Sequence, residues 1–77
     1  MIQVISKVDT GTATITAGNT FVDVTHELGA APGDVLLSEK ELEGNIQWWD
    51  TPTATTFRIN IGAVQLIDTN FTWRAEL

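Results

Sequence analysis

Two stretches of strict alternation constrain this chain more than anything else in it. From Thr55 to Ile61, the side chains of Phe57, Ile59 and Ile61 share one phase and Thr56, Arg58 and Asn60 the other. From Asn70 to Leu77, Phe71, Trp73, Ala75 and Leu77 share one phase and Asn70, Thr72, Arg74 and Glu76 the other. A period of two is the period of a β-strand, and an apolar phase opposite a polar one marks an antiparallel strand buried on one face. The chain also carries twelve threonines, with valine and isoleucine spread throughout. Such β-branched residues suit a pleated surface better than a helix. No segment has the length and 3.6-residue periodicity of a helix.

The remaining segments read the same way. Gln3–Lys7, Thr12–Thr16, Phe21–His26, Asp34–Ser38 and Asn45–Asp50 are expected strands. Gly18-Asn19 is a hairpin turn signal, because glycine reaches positive φ without strain. Leu28 to Gly33 breaks the pattern, since Pro32 cannot donate to a ladder. Glu39 to Glu43 reads as a charged loop or a single helical turn, and Gly62 to Asp68 as a loop carrying Val64, Leu66 and Ile67. Six to seven short strands with regular turn signals predict a small antiparallel β-sandwich. Its expected core is Ile15, Val22, Val24, Val35, Leu37, Phe57, Ile59, Phe71 and Trp73. Residues 1–10 are expected to form a terminal strand or arm, and residues 11–77 the sandwich.

Size and charge narrow the partners. At 77 residues without cysteine, the chain is a single domain with no disulfide to staple it. Domains this small often gain stability from copies of themselves, so a homo-oligomer is expected. The net charge is −6. Lys7, Lys40, Arg58 and Arg74 are too few and too scattered to displace counterions from a phosphate backbone, which argues against nucleic acid. The same scarcity argues against an anionic membrane surface. The longest apolar run, Val35-Leu36-Leu37, is far short of a membrane span of about 20 residues. Residues 1–9 lack the layout of a signal peptide, so synthesis in a cytoplasm is expected.

Chemistry-bearing residues are sparse. His26 is the single histidine and there is no cysteine or tyrosine. A metal ligand or general base would want companions that the chain lacks, so His26 reads as a strand-end residue bonded to a loop carbonyl. Glu39, Glu41 and Glu43 alternate, but no calcium-loop pattern accompanies them, and they read as a solvated edge. Gly29, Gly33 and Gly44 do not have the spacing of a phosphate-binding loop. Neither an enzymatic activity nor a cofactor is expected. The aromatic residues say more. Trp48 and Trp49 are adjacent, so in a strand they face opposite ways, one to the core and one outward. Phe21 is out of phase with Val22 and Val24. Apolar residues on an outer face mark an interface, and the interface candidates are Ile2, Val4, Ile5, Phe21, Trp48 and Trp49.

The order of these pieces is familiar. It runs Gly11-Thr-Ala-Thr-Ile-Thr-Ala-Gly18, then Val22-Asp-Val24-Thr-His26-Glu-Leu28-Gly29, then Pro32 with an apolar strand, Thr56-Phe57, and Phe71-Thr-Trp73-Arg-Ala75. The run resembles a β-sandwich module of virion proteins in tailed bacteriophages and related prokaryotic viruses. From Pro32 to Ala75 it also looks like the H-type lectin fold, a six-stranded antiparallel sandwich that assembles as a trimer. The resemblance implies a trimeric capsid decoration (cement) protein that sits on the capsid exterior and binds the major capsid protein. Its alternative implication is a lectin-like glycan-binding module of a tail fibre or tail tip. No residue of this chain matches the sugar-contacting positions of the lectins one by one.

Overall fold

The computed structural model of the protein describes residues 7–39 and 46–77. Six strands run through them: β1 (Val8–Ile15), β2 (Phe21–Thr25), β3 (Asp34–Glu39), β4 (Gln47–Asp50), β5 (Thr56–Ile61) and β6 (Thr69–Glu76). All pairings are antiparallel and form two three-stranded sheets, in the orders β1-β6-β3 and β2-β5-β4. The two alternating stretches are the two central strands. A central strand has a neighbour on each side, so its outward side chains are partly covered too, and clean patterning survives best there. The all-β sandwich expected from the pattern is the fold of the chain.

Differences from the expectations have simple causes. The expected strand Gln3–Lys7 and the arm residues Ile2, Val4 and Ile5 fall on residues 1–6 or border them, outside the described part, as does most of the Glu39–Glu43 loop. β1 begins at Val8, where Val8 pairs with Glu76, so residues 8–10 are in the sandwich. Gly18 has φ of 88°, as its turn requires. Yet that turn is no hairpin: β1 pairs with β6 and β2 with β5, so the chain crosses from one sheet to the other. Crossing puts Ile15 and Val24 on facing inner surfaces, where both are buried. The connection that does make a hairpin between sheet neighbours is residues 51–55, from β4 to β5. There Thr53 donates its N–H to the Thr56 carbonyl (2.8 Å), and its Oγ1 accepts the Thr56 N–H (2.9 Å).

The core lies between the two central strands. Phe57, Ile59 and Ile61 of β5 face Phe71, Trp73 and Ala75 of β6, with Ile15, Val24, Leu28 and Val35 completing it. Val22 and Leu37 pack against this cluster half-buried. Leu28, Ile61 and Ala75 were not among the expected core residues. The Phe57 and Trp73 rings meet edge to face, with centroids 5.2 Å apart and planes at 78°, the arrangement favoured by their quadrupoles. The indole needs room, and Gly11 provides it. A β-carbon at position 11 would lie 2.7 Å from Trp73 Cζ2 and 2.9 Å from Cε2.

His26 closes the opposite end from the Gly18 turn. It is buried and bonded to a loop carbonyl, as its place at a strand end implied. Its Nδ1 accepts the Leu28 N–H (3.2 Å), so Nε2 must carry the proton and donate to the Thr53 carbonyl (3.0 Å). Its backbone N–H donates to Thr55 O (2.9 Å). One side chain thus ties the segment after β2 to the β4–β5 hairpin.

Two outcomes test this account. Gly11→Ala is expected to lower stability by about 1–3 kcal/mol through overpacking against the indole, read as a lower urea midpoint with near-ultraviolet dichroism of Trp73 altered. His26→Leu keeps the bulk but strands the Leu28 N–H and the Thr53 carbonyl, and is expected to cost about 1–3 kcal/mol in the same measurement. An unchanged midpoint in either variant would remove that contact from the account.

Candidate functional site

The side chains that point away from the core on β2, β5 and β4 form one outer face. The register sets them in rows. Phe21 and Trp48 flank Asn60, Asp23 and Asp50 flank Arg58, and Thr25 stands beside Thr56. The inner rows are mostly apolar and face the core, such as Ile59 between Val22 and Trp49. Burying the Val22, Ile59 and Trp49 row therefore forces the aromatic and charged rows outward.

Arg58 organises the face. Its Nε donates to Asp23 Oδ1 (2.8 Å) and its Nη2 to Asp23 Oδ2 (3.3 Å). Its guanidinium carbon lies 4.3 Å from the centre of the Phe21 ring, a cation–π contact. The stacked guanidinium helps hold Phe21 in place, although the residue remains 48% exposed. Trp48 is 43% exposed on the other side of Asn60.

Asp50 follows Trp48 and Trp49 at the end of β4, and its Oδ1 accepts the Thr51 hydroxyl (3.0 Å). Thr51 has φ of 52°, the left-handed region that a β-branched residue seldom enters. The Asn60 amide beside Asp50 is the main influence holding that carboxyl below its ordinary value of 3.8; the Thr51 hydroxyl, the Trp48 indole and the charge of Arg58 act in the same direction. Asp23 is likewise held below 3.8, first by its hydrogen bonds from Arg58 and then by the charge of that residue. Asp23 in turn pushes Arg58 up.

This chemistry suits recognition. Both carboxyls are ionised at neutral pH, so neither has a proton to give as a general acid there. Arg58 keeps its charge at any working pH. What the face offers is two aromatic surfaces, a fixed cation and two fixed anions within a few side-chain widths.

The predicted interface residues distribute as follows. Phe21 and Trp48 come together on this face. Trp49 turns inward and packs half-buried against the core, which resolves the choice between the two adjacent indoles. Ile2, Val4 and Ile5 lie outside the described residues. Arg58, Asp23, Asp50 and Asn60 were not foreseen as part of the site. Their polar phase was visible, but their juxtaposition depends on cross-strand register. No protein-family model matches the chain, and no curated protein or solved structure matches it significantly.

The lowered carboxyls fix a pH dependence. A carboxyl with a folded pKa below its unfolded value stabilises the fold above the unfolded value, and that contribution is lost as pH falls through the folded one. Asp23 and Asp50 are both of this kind. Asp23→Asn is therefore expected to melt below the wild type at neutral pH in low salt, with the gap closing below about pH 4. Thermal melts across that range check it. A gap that persists in strong acid would trace the loss to something other than ionisation.

Proposed function

We propose that this chain is a structural protein of a virus particle, a trimeric decoration protein that attaches to the exterior of a capsid and stabilises the shell. The observation that carries the reading is the outer face of the β2-β5-β4 sheet, with Phe21 and Trp48 exposed on either side of Asn60. Large aromatics ringed by polar groups are the usual anchors of protein–protein contacts. The order of the sequence pieces from Gly11 to Ala75, which resembles that of virion sandwich modules, supports the same reading. The mechanism is repetition. Each copy makes a modest contact with the major capsid protein, and a trimer engages several capsid subunits at once, so weak contacts sum to firm retention. The paired state of Arg58 fits such a surface, since its orientation is set before the partner arrives.

A second reading is favoured by one detail of the same face. An exposed indole beside a carboxylate, an amide and a guanidinium is also a platform on which a sugar ring could stack and bond. Under that reading the module recognises a glycan at a tail fibre or tail tip.

Particle composition separates them. Quantitative mass spectrometry of purified particles is expected to find the chain in numbers comparable with the major capsid protein. Trp48→Ala is expected to weaken retention by about tenfold or more per contact, the loss typical of an aromatic anchor. Absence from particles, or a handful of copies at a tail tip, would falsify the decoration reading. Saccharide binding on a glycan array that disappears in the same variant would establish the second.

A further inference from the structure

At the pole where β1, β5 and β6 meet their turns, residues 62–68 form a loop that is firmly tied down. Gly18 donates its N–H to Gln65 O (3.0 Å), Ala17 to Asp68 Oδ1 (2.9 Å), and Gly62 to Ile46 O (2.9 Å). The Gln65 amide bonds back to the Ala63 carbonyl (3.2 Å). Despite these ties, the loop turns its apolar side chains to water: Val64 and Ile67 are exposed and Leu66 is 96% exposed. A projection already ordered loses little further entropy on docking, which is how a protein presents an anchor.

The same molecule carries a recess. The outward face of β1-β6-β3 is hollowed over Thr10, Thr12, Leu36, Ser38, Thr72 and Arg74, a concavity of about 470 Å³ with walls mostly of carbon. Leu36 lies in it, 57% exposed. Arg74 is the one charged residue of this lining among the described residues. Arg74 Nη1 lies 3.6 Å from Glu76 Oε2, a solvent-exposed ion pair without a hydrogen bond, weak enough to exchange for a partner's carboxylate. In the projecting loop the one charged residue is Asp68. Among the described residues, projection and recess are therefore apolar in the main and carry opposite charges in Asp68 and Arg74, and both belong to one chain.

We propose that the protein binds copies of itself head to flank, with the 62–68 loop of one copy seated in the recess of the next and Asp68 facing Arg74 of the partner subunit. The two halves lie on different parts of the molecule, so the contact is heterologous. Each added copy leaves one half open until a ring closes. This inference deepens the proposed function by assigning the contact between copies, and it rests on that reading for self-association alone. The capsid-facing surface is left to Phe21 and Trp48.

The test uses two variants at exposed positions and sedimentation of the purified full chain. Leu66→Asp spoils the projection and Leu36→Glu spoils the recess; circular dichroism checks that both fold, with Leu66→Ser and Leu36→Thr as milder replacements. The wild type is expected to sediment as a closed oligomer and each variant as a single protomer. An equimolar mixture is expected to form a dimer and nothing larger, because one intact projection and one intact recess remain between the two variants. A monomeric wild type, variants that keep the wild-type mass, or a mixture that stays monomeric would each overturn the proposal. Binding of a monomeric wild type to phosphatidylcholine vesicles, abolished by Leu66→Asp, would overturn it in favour of a lipid surface. Self-association is read without a capsid and capsid retention through Trp48, so failure of one is distinguishable from failure of the other.

Discussion

The contact of Phe57 with Trp73 joins the two central strands across the core, and the rest of the molecule is arranged around it. Each ring belongs to the middle strand of its own sheet. Every other strand hangs on β5 or β6 by backbone hydrogen bonds, so the edge-to-face contact fixes the spacing of the entire sandwich. The geometry also dictates its surroundings. A large indole lying across the sheet interior needs a neighbour without a side chain, and Gly11, opposite Trp73 in the β1–β6 register, is that neighbour. A core this thin, with Phe57, Ile59 and Phe71 wholly buried, leaves no spare layer to absorb a misplaced ring.

Thinness has a further effect on the surface. With three strands in each sheet, the inner faces take up about half of the strand residues and the outer faces must present the rest. On the β2-β5-β4 side these are aromatic and charged, held in rows by Arg58. On the β1-β6-β3 side they mix the hydroxyls of Thr10, Thr12, Thr14, Thr72 and Ser38 with charged and apolar side chains, around a hollow. The protein thus has two unlike flanks and one apolar pole. Such polarity suits a piece that meets different neighbours in different directions.

Much of this was legible in the chain and some was not, for identifiable reasons. Alternation in 55–61 and 70–77 revealed strands because their inner and outer environments differ sharply. It could not say which strand lies beside which. Gly18-Asn19 shows why, since the same positive-φ turn serves a hairpin within a sheet or an arch between sheets. Ala75 and Ile61 escaped notice as core because a small residue, or one at a strand end, gives a weak signal. The site was half visible. Phe21 and Trp48 stood out as apolar residues in the wrong phase, whereas Arg58 became meaningful only when the register set it between Asp23 and Asp50.

The pairing order also bears on how the molecule comes into being. β6 is the last of the six strands, yet it occupies the middle of its sheet, with Val8 and Asp34 both opposite Glu76. Until a ribosome has released residues 69–76, β1 and β3 have no ladder to join and Phe57 has no indole to pack against. The sandwich therefore closes only once β6 is available, through contacts far apart in sequence, a topology associated with slow folding. During that interval the nascent strands expose their apolar sides, and the abundance of acidic charge supplies the mutual repulsion that keeps unfinished copies apart.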